Sequence, residues 1–333
     1  MKRHRLTGSI NPPREFIPSG AAILDCVLGG GWAVGRIGNI VGDKSSGKTL
    51  CLIEACANFA EKYPDAPIWY NEAEAAFDEE YAKTLGIPIN KVDFIGKNNE
   101  KEKCFTGEDF FNDLNKRLDS LQKGEKGLYC LDSLDALSDE AELERAIDKG
   151  SYGGAKAKKL SELFRRLNKR VSEAGITVLI VSQIRDKIGI TFGETKGRSG
   201  GHALDFYASQ IVWLSQVKTM VKISGGVKRA IGIRVKAKCK KNKVGPPLRE
   251  CEFPILFGYG VDDYSANLEW LKEVGMLDRA GFKSEPEMTK AISSFHRGSR
   301  EDRIAPRLTL GFLVRNVWKE IEHRFDPPQG GKY

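Results

Sequence analysis

No stretch of this 333-residue chain approaches the roughly 18 consecutive apolar residues of a membrane-spanning helix, which excludes such a helix. Cysteine pairs are missing too. The seven cysteines (Cys26, Cys51, Cys56, Cys104, Cys130, Cys239 and Cys251) are an odd, scattered set with no CxxC, and there are only four histidines. Neither a disulfide framework nor a zinc pattern can be built from them, and reduced thiols in a cytoplasmic compartment are expected. Residues 1–13 carry charge with no apolar segment behind it, so no secretory signal is expected. Internal repeats are absent.

What is present is a globular composition. Hydrophobic residues make up 41% and charged residues 29%, enough to bury a substantial core and to exclude disorder as the main state. Lys and Arg exceed Asp and Glu by 53 − 45 = 8, a surplus that favours polyanionic partners. Residues 1–18 read as a basic arm punctuated by Pro12, Pro13 and Pro18, and oligomerisation is the role expected of it. Over residues 19–261, apolar runs at Ile37–Val41, Ile68–Asn71, Val92–Ile95, Leu128–Asp132 and Ile176–Gln183 alternate with helical stretches such as Lys48–Lys62, Glu108–Lys123 and Lys156–Glu173. This rhythm predicts an α/β fold with a mostly parallel twisted sheet flanked by helices. Three later runs, Gln210–Val217, Ala230–Lys238 and Cys251–Phe257, follow with few helices between them and predict antiparallel edge strands. Residues 262–333 read as a small C-terminal module. Its helices are expected at Asn267–Gly275 and Phe312–Arg324, around a basic connector, Ser293–Arg307, and its tail is expected to fray.

The strongest motif is Gly42-Asp43-Lys44-Ser45-Ser46-Gly47-Lys48-Thr49, a GxxxxGK[ST] loop between an apolar strand and a helix. In such a loop the backbone N–H groups cradle phosphate, the lysine neutralises the β- and γ-phosphates, and the threonine hydroxyl sits on Mg²⁺. Leu50 continues the cradle into the helix. Asp132 ends the next strong strand, where a carboxylate can orient the metal and its waters. Glu72 and Glu74 both lie just past a neighbouring strand, where a base for hydrolysis is needed; residue chemistry alone does not choose between them.

Taken together these segments resemble the bacterial RecA-type DNA recombinases, including phage-encoded members, from about Ile17 to Val261. The likeness rests on several motifs in family order. Ile17-Pro18-Ser19-Gly20 and Leu28-Gly29-Gly30-Gly31 precede Gly42–Thr49, the Walker A motif. Next come Glu72-Ala73-Glu74 with Asp78 and Tyr81, Asp132-Ser133 as Walker B, Ser182-Gln183-Ile184-Arg185, and Gly200-Gly201-His202-Ala203-Leu204. Lys241-Asn242-Lys243 closes the series. The resemblance implies a RecA-like P-loop NTPase core and a DNA-dependent ATPase using ATP and Mg²⁺. It implies Glu74 as the base, Gln183 as the γ-phosphate sensor, Tyr81 stacking on adenine and Asp78 near the adenine amino group. Lys241 and Lys243 would reach a neighbouring subunit's nucleotide. The implied partners are single- and double-stranded DNA and further copies of the chain.

Residues 184–201 agree with this: on composition an exposed turn competes, and the position beside Gln183 favours a DNA-binding loop that ATP can order. Five glycines, including Gly200 and Gly201, stand among Arg185, Lys187, Lys196, Arg198 and Phe192. Glycine-rich, cationic and sparsely aromatic is what a phosphate-tracking segment requires. Residues 148–159 resemble the first DNA loop more loosely, with Tyr152 as a wedge and Arg165 on the following helix touching phosphate; a solvated helix N-terminus competes with that reading.

Three departures stand beside the likeness. The family's N-terminal docking helix has no counterpart in residues 1–16, Asp205 replaces a cation beside Phe206, and the end of the chain lacks an acidic tail. They keep three functions in play: an ATP-dependent recombinase forming nucleoprotein filaments, a non-filamenting accessory or regulator of another recombinase, and a hexameric helicase motor.

Overall fold

The computed structural model describes residues 14–74, 77–97, 103–138, 153–186, 196–198 and 201–326. In chain order its elements are β1 (Phe16–Ile17), α1 (Ala22–Leu28), β2 (Trp32–Ala33), β3 (Ile37–Gly42), α2 (Lys48–Lys62), β4 (Ile68–Glu72), α3 (Glu79–Thr84), β5 (Val92–Phe94), α4 (Gly107–Ser120) and β6 (Gly127–Asp132). There follow α5 (Gly153–Ala174), β7 (Ile176–Asp186), β8 (Lys196–Arg198), α6 (Gly201–Tyr207), β9 (Gln210–Ser224), β10 (Val227–Asn242), β11 (Glu250–Leu256), β12 (Gly260–Val261), α7 (Asp263–Glu273), α8 (Glu285–Arg297) and α9 (Arg300–His323).

The main sheet runs β12-β11-β10-β9-β3-β7-β6-β4-β5, with β8 folded back on β7. All pairs from β9 through β3, β7, β6 and β4 to β5 are parallel; β9–β10, β10–β11 and β11–β12 are antiparallel. The α/β fold with antiparallel edge strands is therefore the one its apolar runs predict, except that Gln210–Val217, expected among the edge strands, lies inside the sheet and pairs parallel with β3. Strands β3 and β6 are buried along their whole length, because helices cover both faces of a parallel sheet. One apolar cluster includes Leu52, Phe59, Leu128 and Val212; a second includes Phe110, Leu114, Tyr129, Phe164 and Ile180.

After β3 the chain crosses to β4 and β5, then returns through β6 to β7 beside β3. The C-terminal strand ends therefore converge. Gly42 pairs with Gln183, and Glu72 pairs with Asp132. In open α/β sheets ligands bind at such a reversal of strand order.

Two further expectations are corrected. The strands expected to end at Val217 and to start at Ala230 both run further: β9 and β10 form one long hairpin that turns at Gly225-Gly226, both at positive φ (56° and 76°). Ser293–Arg307 is not a connector but the end of α8 and the start of α9, split at Gly298 and restarted by a Ser299–Asp302 capping box. Helices α7 and α9 pack on α1, and Leu268, Leu271, Val314 and Val317 belong to the same apolar cluster as Ile23 and Val27. Among the described residues no helix is long and apolar enough to cross a membrane.

Candidate active site

Glycine makes the turn after β3 possible. A Cβ on Gly42 would collide with Ser46 Oγ and the Leu214 carbonyl, and Gly47 holds φ at 88°. Ser46 Oγ donates to the Asp43 carbonyl at 2.8 Å, and Lys48 Nζ donates to the same oxygen at 2.7 Å. No side chain caps the N-terminus of α2 and no acid stands in its first turn. Its first amides therefore point into the cleft with the positive end of the helix dipole, ready for an anion.

Across the cleft, Thr49 Oγ1 donates to Asp132 Oδ2 at 2.7 Å and the buried Tyr70 hydroxyl donates to the same oxygen at 3.1 Å. Burial pushes the Asp132 carboxyl above the usual range, while the Thr49 and Tyr70 hydrogen bonds pull it back. Burial likewise lowers the Lys48 ammonium, against the carboxylates of Asp132, Glu74, Asp135 and Asp43, which favour its charged form. A hydroxyl and a carboxylate are hard oxygen donors. The pair suits Mg²⁺, and the cradle of N–H groups beside them suits a triphosphate.

Of the two glutamates past β4, Glu74 is the one that reaches this cleft, which is about 490 Å³. Its Oε1 accepts from Gln183 Nε2 at 2.8 Å and from the Ser133 hydroxyl. The Gln183 backbone N–H donates to Asp135 Oδ2 at 2.6 Å. Lys44, Ser45, Ser46, Gly47, Lys48, Thr49, Leu50, Tyr81, Asp132 and Gln183 also line the cleft. Glu72 is not among its lining residues; it stays at the end of β4, paired with Asp132. Asp78 caps α3, accepting the Tyr81 N–H at 3.0 Å, and so positions Tyr81 without lining the cleft itself.

The cleft also contains residues that the motifs do not announce. Ile233, Ile255 and the largely exposed Phe257 line it opposite the P-loop. They arrive from β10 and from the end of β11, some 200 residues downstream, and only the sheet order brings them there. Ser133, by contrast, belongs to the Asp132-Ser133 pair already marked in the sequence.

Lys241 and Lys243 do not join this cleft. Both hold the C-terminal carbonyls of α6: Lys241 Nζ donates to the carbonyls of Asp205 and, at 3.0 Å, Phe206, and Lys243 Nζ donates to Phe206 at 2.9 Å. Lys241 pairs with Ile211 near the start of β9, whereas Gly42 lies at the far end of the neighbouring parallel strand. Arg165 is exposed on α5, and Gly201 opens α6. Tyr152, Lys187, Phe192 and Gly200 lie outside the described residues, as do the side chains of Arg185, Lys196 and Arg198.

A profile of the RecA N-terminal domain matches residues 5–262. Protein RecA of Streptomyces coelicolor is 34% identical over 278 residues, which cover 83% of this chain and 70% of the relative. Protein RecA of Thermosynechococcus vestitus is 35% identical over 277 residues, 83% of this chain and 73% of the relative. Protein RecA of a Nocardioides species is 31% identical over 278 residues, 83% and 75% of the two chains.

Proposed function

The chain belongs to the RecA family, and from that premise we propose that it is an ATP-dependent recombinase of DNA recombination and repair. In this reading it coats single-stranded DNA as a filament, pairs it with duplex DNA and exchanges strands, in the cytoplasm. Residues 19–261 carry the motor, 1–18 serve assembly, and 262–333 form a C-terminal module.

The observation that carries the reading is the bridge from Gln183 to Glu74 at 2.8 Å, beside the phosphate cradle. One amide touches the candidate base and stands on the strand that leads into the cationic segment 184–201. A γ-phosphate arriving at the P-loop competes for that amide. Capturing it frees Glu74 to take a proton from water as the oxygen attacks the γ-phosphorus and the bridging P–O bond to ADP breaks. Thr49 and Asp132 would hold Mg²⁺, which when bound neutralises charge on the β- and γ-phosphate oxygens. Tyr81 and Phe257 offer two aromatic faces to the adenine. By linkage, whatever ATP contributes to DNA affinity DNA returns to ATP affinity.

Because Lys241 and Lys243 stand away from the cleft of their own chain, they are assigned to the nucleotide of the next protomer. Tyr152, Arg165, Arg185, Lys187, Phe192, Lys196 and Arg198, with the glycines at 200 and 201, are assigned to DNA. Electron microscopy with long single-stranded DNA and a non-hydrolysable ATP analogue tests the reading. Regular helical filaments are expected; bare DNA together with monomers or small rings in light scattering would overturn it.

A further inference from the structure

Strand β7 outlives its neighbour. The last parallel pair with β6 is Leu131–Ile180, but β7 runs on to Asp186, and Ile184–Asp186 pair antiparallel with Arg198, Gly197 and Lys196 of β8. At Gln183 the strand is held on one side by Gly42 of β3. On the other side β6 has ended and become the short 3₁₀ turn Leu134–Ala136. A backbone N–H facing that side has lost its ladder partner and needs another acceptor.

Asp135 supplies one. Its Oδ2 takes the Gln183 N–H at 2.6 Å, a short bond to an ionised acceptor, the class roughly twice as strong as a neutral pair. The same turn also grips the other end of the network, since Ser133 donates to the Glu74 oxygen that accepts the Gln183 amide. Base, sensor and turn are therefore tied at three points, and of these the Asp135 bond holds the sensor by its main chain, on the side that β3 leaves open. Asp135 does not line the nucleotide cleft.

We propose that Asp135 is a positioning residue of the γ-phosphate sensor. Its carboxylate anchors the Gln183 backbone, so that a change of partner at the Gln183 amide is transmitted into the β7–β8 ribbon instead of being absorbed by slack at the end of the sheet. The proposal rests on the functional reading above and names the part that couples its two ligands. Without the anchor both ligands still bind, but each is blind to the other.

The test is a set of anisotropy titrations of a labelled oligo-dT, without nucleotide and with a non-hydrolysable ATP analogue and Mg²⁺. Wild type is expected to bind more tightly with the analogue. Asp135→Ala should reduce that ratio about tenfold, the scale of one hydrogen bond to a charged group. Asp135→Asn, whose amide oxygen still accepts, should reduce it less and covers the case in which the alanine variant misfolds. The KM for ATP should be no higher than in wild type, because the Asp135 charge is among the carboxylates acting on Lys48 rather than among the phosphate ligands. A wild-type ratio of one sinks the functional reading and the anchor with it. A clear wild-type ratio left intact in Asp135→Ala sinks the anchor alone. A raised KM in both variants also overturns it, because damage to the pocket would then explain the loss.

Discussion

At the scale of single residues, Glu74 and Glu54 carry the sharpest expectations. Glu74→Gln keeps the shape of the side chain but removes the base. Hydrolysis stimulated by single-stranded DNA should fall by about 100-fold or more, with ATP-dependent DNA binding retained. Normal turnover in a phosphate-release assay would remove Glu74 from the mechanism. Glu54 sits beside the Val261 N–H, and burial raises its carboxyl to about 7; Asp263, buried against α1, is raised by burial to about 6. An acid whose folded pKa is raised binds more protons folded than unfolded. Its stabilising contribution is complete below the unfolded value and is lost as pH rises through 6 to 7. Urea midpoints should therefore drop between pH 5 and 8, and Glu54→Gln should flatten that slope. At this scale the P-loop was legible in order and spacing. Asp135 was not singled out, because its role depends on where β6 stops relative to β7, which is a matter of register rather than of residue type.

At the scale of elements, the tight passage from β3 into α2 makes a prediction of its own. Gly42→Ala places a methyl group against Ser46 Oγ and the Leu214 carbonyl. It should displace the loop and cut hydrolysis by about 100-fold, the cost of misplacing reacting groups by roughly an ångström. Full activity in this variant would mean that the cradle is looser than drawn. The buried parallel strands were legible because strands covered on both faces read as unbroken apolar runs. The outer half of the β9–β10 hairpin was not. There Val217, Val221, Ile223 and Val227 are exposed among Lys218, Lys222, Lys228 and Arg229, so no buried face marks a period. The Gly225-Gly226 pair was the available signal, since two-residue hairpin turns favour two residues at positive φ. The start of α9 was hidden for a similar reason. Nearly all of residues 300–309 face solvent and Pro306 interrupts the pattern, so only the Ser299–Asp302 box announced the helix.

At the scale of the whole molecule, the boundary at 261/262 meets a shared core. Val314 and Val317 are wholly buried in the cluster that contains α1, and each such side chain contributes about 1.5–3 kcal/mol. A fragment ending at residue 262 should lose its cooperative melt and aggregate; a soluble fragment with a sharp transition would establish two independent units. Charge also acts at this scale. From Ser215 to Arg249 every charged residue is a cation, within a chain of net charge +8. DNA affinity should fall steeply between 50 and 200 mM salt, in proportion to the counterions released. A flat response would detach that charge from DNA.

Lys241 and Lys243, engaged with α6 at the end of the sheet remote from their own P-loop, set a rule of stoichiometry. On the proposed reading each copy lends its pair forward and borrows from behind, so a chain of n copies has n − 1 finished catalytic centres. Output per molecule then climbs with assembly length and decays on dilution, and mixing wild type with a Lys241/Lys243 double-alanine variant poisons activity out of proportion to its dose.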